Sequence, residues 1–592
     1  MKSRTAKEMP VLRLILDAGR LSPTLFLVAS LLTLAVHLAY IAATDWGAGL
    51  LPVYPKSDSY LFLHRAWFEA FVAADGGYSR LFVPDTPYLW LLAGAYKQFG
   101  PEEWVPFVLN ALLAAITAGF VALTTRKLFD LKAAYCAGVL FAFCGPVVFF
   151  SGITIKTSLV MTLLATAGYF AITHFQSRSA ISLVVALSLL GLAVLDRNNA
   201  MVIVVLLAGI VLWSDFGERD WVRGLRDVSL MLALAVMLIG AWGSTTTGVG
   251  TRGSPLGVNF YSGNSPESRG GYTPFNPNEV RNSAIGHYLD APRVAETAAG
   301  YRLTQTEVTL YWLGKSWGYY STHPEEYAVL QLRKAGLLMA RYAQGAPEEY
   351  RIWRWQRPVL RLAFVDFGLV LSLGVLGMWL ARRRLWRVDS VYFIAGALLY
   401  GGTVWLFFVT DRLRMPLLIW LLPYAGFALT RILRRQSARQ FVGVLMPLII
   451  GYLLSVFAED LNDAGPGWAP DTEWKVKHEM QLSAQRAEFY ALRRDTVMHP
   501  TVSAWVWLAG NYKNEGFEDD VPQFAECAIR VAPDQPSGYE LLYEHFVLQR
   551  NVRKIGELRE RVRMVQGKTE SDTRKFLNIA HRIDTWLADN SH

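Results

Sequence analysis

The chain has few charged residues and very little cysteine. Only 18% of its 592 residues are charged and 53% are hydrophobic, which is too apolar for an ordinary soluble protein of this length. Its three cysteines exclude a disulfide framework, because Cys136 and Cys144 are eight residues apart in one apolar stretch and Cys527 is isolated. The composition therefore predicts a protein whose solvent is the lipid bilayer.

The positive charges lie between the apolar stretches. The formal net charge is +9, and the basic residues cluster in the short loops 125–132, 214–226, 382–387 and 431–439. Loops of this kind remain on the cytoplasmic side of a membrane. The pattern predicts a cytoplasmic N-terminus, outer-facing long loops and no nucleic-acid partner.

Apolar stretches of the length that a hydrocarbon core requires recur up to residue 457. They predict an all-α, multi-pass membrane protein with about eleven transmembrane helices, the first of which is retained. The stretches are 22–43, 104–124, 133–152, 157–174, 180–196, 199–213, 228–243, 359–381, 389–409, 415–430 and 440–457.

Two domains are expected on this basis. Residues 1–457 form the transmembrane domain, with outer loops at 44–103 and 244–358, and residues 458–592 form a soluble α-helical domain on the outer side. That tail either covers the membrane part or binds a protein partner. Eight of its residues have the spacing of a tetratricopeptide (TPR) repeat: Trp505, Leu508, Ala509, Tyr512, Gly516, Ala525, Ala528 and Pro533.

The first outer loop has an acidic residue just before a predicted helix. Residues 55–60 read Pro-Lys-Ser-Asp-Ser-Tyr, and residues 61–71 suit an amphipathic helix at the membrane surface. Two roles are open for Asp58, the N-cap of that helix and a catalytic base. The segment Arg80–Leu91, with prolines at two positions, then leads back toward the membrane.

Taken together, these features resemble the C-type (GT-C) glycosyltransferases that use polyprenyl-phosphate sugars. Protein O-mannosyltransferases and the aminoarabinose transferase of lipid A are members. The resemblance is carried by the first span, the early acidic residue, the Pro-Tyr-Leu segment and the bundle that follows. The stretches 257–267, 271–274 and 411–416 are similar to bacterial members with TPR tails.

The resemblance implies a reaction and a location. A monosaccharide passes from a polyprenyl-phosphate donor to a glycan, lipid or protein acceptor at the periplasmic face of a bacterial inner membrane, with Asp58 as the base. The donor phosphate requires cations. Arg412 and Arg414, in the family's Arg-x-Arg-x-Pro position, are the first candidates, and the others are Lys56, Arg80, Lys156 and Arg197.

Polar and aromatic residues of the outer loops are the candidate sugar-binding groups, namely Tyr60, Tyr88, Asn259, Tyr261, Asn264, Glu267 and Tyr272. For the loop 259–273 a plain surface turn is the alternative. No compact ligand spacing predicts a metal, and a divalent metal is left open as a cofactor. Lys156 stands where many relatives have a second carboxylate, and Asp196 is expected to pair with Arg197.

Two other functions remain open. A polysaccharide polymerase, ligase or lipid-linked glycan transporter would use the same outer arginines, with Asp58 as a structural residue. A non-enzymatic assembly factor would use the tail as its working part. Membrane lipids are partners in every case, and a transporter should have ionisable residues at mid-membrane depth.

Overall fold

A computed structural model of the protein describes residues 22–43, 66–67, 70, 86–100, 102, 104–217, 221–246, 255–273, 275, 280, 290–343, 350, 354, 357–434, 438–463, 502–514, 521–565, 567 and 569–590. These residues are almost entirely helical. The only extended pairing within them is one isolated parallel bridge between Cys144 and Val365. The all-α class predicted from the sequence is confirmed.

The described residues form 24 α-helices, here numbered in chain order. They are α1 Pro23–Ala43, α2 Pro87–Phe99, α3 Val105–Leu128, α4 Leu131–Ala142, α5 Gly145–Ser151, α6 Thr157–Ser177, α7 Ala180–Asp196, α8 Met201–Gly217, α9 Trp221–Thr246, α10 Pro255–Asn264, α11 Ala291–Ala299, α12 Gln305–Tyr320, α13 Pro324–Met339, α14 Pro358–Leu362, α15 Phe367–Leu380, α16 Val388–Leu406, α17 Asp411–Arg414, α18 Leu417–Leu433, α19 Ala438–Asp463, α20 Val502–Asn514, α21 Val521–Val531, α22 Ser537–Leu548, α23 Val552–Arg563 and α24 Glu570–Asn590.

Four helical segments are long and apolar enough to cross a membrane, and each of the eleven predicted stretches contains a described helix. The four are Pro23–Ala43, Val105–Leu128, Thr157–Ser177 and Asn198–Asp215, with mean hydropathies of 2.2, 2.1, 1.4 and 1.7. The multi-pass membrane class is therefore confirmed, and the number of spans stays a prediction.

Two of the predicted stretches are interrupted, and the interruptions pair with each other. Stretch 133–152 breaks between α4 and α5, and stretch 359–381 breaks between α14 and α15. The Gly145 amide donates to the Val365 carbonyl (2.8 Å), and the Val365 amide donates to the Phe143 carbonyl (3.0 Å). Each break thus supplies partners for backbone groups that would be costly to leave unpaired in a membrane.

Gly145 is required at this crossing because the chains approach closely there. A Cβ atom at position 145 would overlap the Tyr350 hydroxyl and the Ala363 carbonyl oxygen. The sequence placed one continuous helix over 133–152, and that prediction is wrong, since Gly145 and Pro146 start a new helix.

Helix α3 lies at the centre of the bundle, packed against α1, α4 and α6. Helix α4 also packs on α18, which packs on α15, while α6 pairs with α7. The buried faces of α3 and α4 are rich in alanine, and small residues allow membrane helices to approach closely. Side-chain caps set several starts: the Asp130 carboxylate accepts from the Ala133 amide (2.9 Å) and the Asp366 carboxylate from the Leu369 amide (2.9 Å).

The tail is helical, and each of its helices from α20 to α24 packs on the next. Arg561 of α23 holds Glu526 of α21 through two hydrogen bonds of 2.6 and 2.9 Å. The TPR assignment and the domain boundary at residue 457 stay predictions. Helix α19 itself continues to Asp463.

Candidate functional site

The predicted site residues divide into those that the structure describes and those that it does not. Lys56, Asp58, Tyr60 and Arg80 lie outside the described residues. The other nine fall into three places: Tyr88, Lys156 and Arg412 at the outer end of the bundle, Arg414 in its interior, and Asn259, Tyr261, Asn264, Glu267 and Tyr272 in the second outer loop.

Tyr88 is a buried link at the outer end of the bundle. Its hydroxyl donates to Asn110 Oδ1 of α3 (3.2 Å), and Asn110 Nδ2 donates to the carbonyls of Ile153 (2.8 Å) and Ser151 (3.3 Å), just after α5. The Tyr88 amide, in the first turn of α2, donates to Asp196 Oδ1 (3.2 Å), because the first amides of a helix have no partner within it. Tyr88 therefore joins α2, α3 and the end of α7.

Three basic residues from separate parts of the sequence gather at this end. Lys156 comes directly before α6, Arg197 directly after α7, and Arg412 lies in α17. Arg197 Nη2 donates to Thr157 Oγ1 (3.0 Å) and its Nη1 to the Arg412 carbonyl (3.3 Å). Arg197 thus fastens the start of α6 to α17, and we call Lys156, Arg197 and Arg412 the cation cluster.

Asp196 lies beside the cation cluster and is 1% exposed. The ion pair expected between Asp196 and Arg197 is wrong, since Asp196 Oδ1 accepts from α2 while Arg197 reaches α6 and α17. Within the described part of the chain, Asp196 Oδ2 is buried and has no hydrogen-bond partner. A buried carboxylate oxygen in that state suggests a functional role, and neighbouring Asn198 and Asn199 were the sequence signal for this helix end.

An apolar cavity adjoins the cation cluster. It lies between α3, α5 and α6 and shares Thr157 with the cluster; Val147, Phe150, Met161 and Met415 supply most of its apolar wall. Met415 comes directly after α17, which carries Arg412. The outer end of the bundle therefore joins positive charge to an apolar space, an arrangement that suits a molecule with an anionic head and a hydrocarbon chain.

Arg414 is fully buried and its donors go to protein atoms. Its Nη2 and Nε atoms donate to Asp411 Oδ1 (2.7 and 3.1 Å), and its Nη1 donates to the carbonyls of Ala340 (2.5 Å) and Leu337 (3.0 Å) at the end of α13. The guanidinium also lies 4.2 Å from the centre of the Phe367 ring. Burial raises the pKa of the Asp411 carboxyl, while Arg414 acts to lower it.

The second outer loop is fastened by a lysine that the sequence did not single out. Lys334 of α13 is fully buried, and its Nζ donates to Asn264 Oδ1 (2.7 Å) and to the carbonyls of Phe407 (2.7 Å) and Leu406 (3.3 Å). Asn264 Nδ2 donates to the Leu406 carbonyl as well (3.1 Å). The pair satisfies the free carbonyls at the end of α16, and burial lowers the pKa of Lys334 to about 7.

The remaining loop residues make packing contacts. Tyr261 lies 4.9 Å from Trp312 between ring centroids, and Tyr272 lies 5.6 Å from Phe408. Glu267 is exposed and Asn259 is half-buried. The Val409 amide donates to the Gly270 carbonyl (2.9 Å), which attaches the loop to the segment that leads into α17.

No group of His, Cys, Asp or Glu suited to a metal ion occurs among the described residues. Residues 86–242, from α2 to α9, match the family model "Dolichyl-phosphate-mannose-protein mannosyltransferase". The resemblance to polyprenyl-phosphate sugar transferases is confirmed over these residues. They include Tyr88, Lys156, Asp196 and Arg197. No curated protein matches the chain.

Several solved structures are similar to the chain at low identity. The oligosaccharyltransferase of Archaeoglobus fulgidus, solved with Zn and sulfate, is 14% identical with a TM-score of 0.39, and the match covers 77% of this chain and 57% of that one. AglB of the same organism, solved with an inhibitory peptide and a dolichol-phosphate, is 14% identical (TM-score 0.39; 78% and 59%). ArnT of Cupriavidus metallidurans bound to undecaprenyl phosphate is 14% identical (TM-score 0.29; 76% and 94%). The chain spans less than two thirds of the length of the archaeal proteins.

Proposed function

We propose that the protein transfers a monosaccharide from a polyprenyl-phosphate donor to a glycan, lipid or protein acceptor at the periplasmic face of a bacterial inner membrane. The observation that carries the proposal is the cation cluster beside an apolar cavity, with Thr157 common to both. The match of residues 86–242 to a family named for a dolichyl-phosphate sugar supports the same class of donor.

In this proposal the donor phosphate binds Lys156, Arg197 and Arg412, and the first part of the polyprenyl chain enters the cavity. Guanidinium and ammonium groups form strong charge-assisted hydrogen bonds with phosphate. Arg414 has a different role, because Asp411 and the carbonyls at the end of α13 already take its donors. It positions α17, and thereby Arg412.

The reaction exchanges one bond at the anomeric carbon of the sugar. The acceptor oxygen forms a bond to that carbon as the bond to the donor phosphate oxygen breaks, and the products are the glycosylated acceptor and polyprenyl phosphate. Asp58 takes the proton of the acceptor hydroxyl, and the cation cluster stabilises the charge on the leaving phosphate. Asp196 Oδ2, which is buried beside the cluster without a hydrogen-bond partner, is positioned to accept a hydrogen bond from a sugar hydroxyl.

The test is transfer of labelled sugar from a panel of synthetic polyprenyl-phosphate monosaccharides into envelope extract, with wild type, Asp58→Asn and Asp85→Asn. Asp85 is an acidic residue of the same outer loop, so its variant is a matched control. We expect wild type and Asp85→Asn to transfer from one donor, and Asp58→Asn to lose at least 100-fold of the rate. Intact activity in Asp58→Asn would remove the base assignment.

A wild-type protein that transfers from no donor would remove the transferase proposal itself. Movement of an intact lipid-linked glycan across proteoliposomes would then favour the transporter, and elongation of a lipid-linked polymer would favour the polymerase. Identification of the labelled product assigns the acceptor class.

A further inference from the structure

The tail contacts the first outer loop through an aromatic stack. Trp67 of that loop is 2% exposed and Phe524 of α21 is fully buried. Their ring centroids are 6.3 Å apart with an interplanar angle of 23°. Phe524 in turn stacks on Trp505 of α20, at 6.2 Å and 30°. Three rings therefore run in sequence from the outer loop into the tail.

The surface of the tail that meets Trp67 is continuous with the core of the membrane bundle. Ala66, Trp67, Trp505 and Phe524 belong to the same cluster of buried apolar side chains as the transmembrane helices. A second cluster, which includes Leu542 and Phe546, lies within the tail and packs α22 to α24 together. Helices α20 and α21 thus face the membrane domain, while the rest of the tail has its own core.

The stack is large enough to fix the loop in place. Aromatic side chains each bury about 150–250 Å² and a ring pair adds roughly 0.5–1.5 kcal/mol beyond the area effect. Trp67 follows Asp58 by nine residues in the sequence. A group that must take a proton during catalysis has to be held in place to a fraction of an ångström.

We infer that helices α20 and α21 hold the first outer loop against the membrane domain, and that Trp67 is a positioning residue for Asp58. The inference rests on the proposed function and deepens it. The tail then belongs to the catalytic unit of the transferase, and removing its contact with Trp67 slows the reaction without weakening the binding of the donor, whose phosphate is held by α6, α7 and α17.

The kinetic test compares Phe524→Ala with Phe546→Ala in the full-length protein. Each variant removes the same side chain from the tail, but only Phe524 stacks on Trp67. We expect Phe524→Ala to lower kcat at least tenfold with KM for the donor within twofold of wild type, Phe546→Ala to keep kcat within threefold, and Phe524→Leu to recover most of the loss. Equal losses in the two alanine variants, or a change in donor KM alone, would overturn the inference.

An accessibility test does not depend on transfer. Ala66 is fully buried, so a cysteine introduced by Ala66→Cys should react slowly with a water-soluble maleimide, measured as the increase over the parent chain with its three native cysteines. Adding Phe524→Ala should raise the labelling rate at least tenfold, and adding Phe546→Ala should not. Rapid labelling in all three backgrounds would show that the tail does not cover the loop. A wild type without transfer activity would remove the proposed function, while this labelling would still decide whether the contact exists.

Discussion

Arg412 and Arg414 are two residues apart, yet the structure gives them different roles. Arg414 is buried among protein acceptors, whereas the backbone of Arg412 is held by Arg197 next to Lys156. The substitutions Arg414→Met and Arg412→Met remove the same charge from the same short helix. We therefore expect one variant to lose stability and the other to lose activity.

The magnitude for Arg414 follows from what its removal leaves behind. The Asp411 carboxylate would remain buried without its cation, and breaking a buried ion pair on one side costs about 3–5 kcal/mol. The carbonyls of Leu337, Ala340 and Arg341 would also lose donors, and each buried unsatisfied group costs about 1–3 kcal/mol when water cannot reach it. Arg414→Met should thus lower the free energy of unfolding by at least about 3 kcal/mol.

The assay is a denaturant titration in detergent micelles, followed through the fluorescence of the 20 tryptophans. Arg412→Met should unfold within about 0.5–1 kcal/mol of wild type, as expected for loss of a residue without a buried ion pair. The double variant Asp411→Leu with Arg414→Met should recover part of the loss, because no buried charge is left unpaired. Wild-type stability in Arg414→Met, or a double variant less stable than the single one, would refute this account of α17.

Three further predictions concern the donor site and the second outer loop. Arg412→Met and Arg197→Met should each raise KM for the donor at least tenfold, since each removes a phosphate contact worth about 1.5–3 kcal/mol; a steady-state assay at varied donor concentration measures this, and unchanged KM in both would contradict the cluster. Met161→Trp should fill the apolar cavity and weaken binding of a long-chain polyprenyl phosphate more than that of a short-chain analogue, and an equal effect on both lipids would exclude the cavity as their binding place. The Lys334 side chain has a pKa of about 7 in the folded protein against about 10.4 unfolded; between these values the unfolded chain binds the additional proton, so the contribution of Lys334 to stability rises with pH, and the stability of wild type relative to Lys334→Met should increase from pH 7 to 9. A difference that stays constant over that range would contradict the burial of the ammonium group.

The helical architecture could be predicted from the sequence, because apolar length and basic loops report directly on a membrane. Each predicted stretch contains a helix, from Pro23–Ala43 to Ala438–Asp463. The breaks within two stretches could not be located in this way. The crossing at Gly145 and Val365 depends on hydrogen bonds between segments some 220 residues apart in sequence, and hydropathy has no information on such pairing.

The candidate site was predictable in part. Lys156, Arg197 and Arg412 each stood out as a cation at the outer end of a span, where the positive-inside rule does not explain them. Their convergence through Thr157 is a tertiary fact. Arg414 has the same local sequence signal as Arg412, and only its buried partners distinguish the two. Lys334 gave no signal at all, since a lysine within an amphipathic outer helix resembles a solvent-exposed one until the end of α16 is packed against it.

The central claim is that a sugar leaves a polyprenyl phosphate at the cation cluster. The most direct measurement follows, in one proteoliposome reaction, the labelled sugar joined to acceptor and the free polyprenyl phosphate formed, for wild type and for Arg412→Met at limiting donor. The account predicts one polyprenyl phosphate released for each sugar transferred by wild type, and at least a tenfold lower rate of both in the variant. Sugar that remains joined to its lipid in wild type, or a variant as fast as wild type, would contradict it.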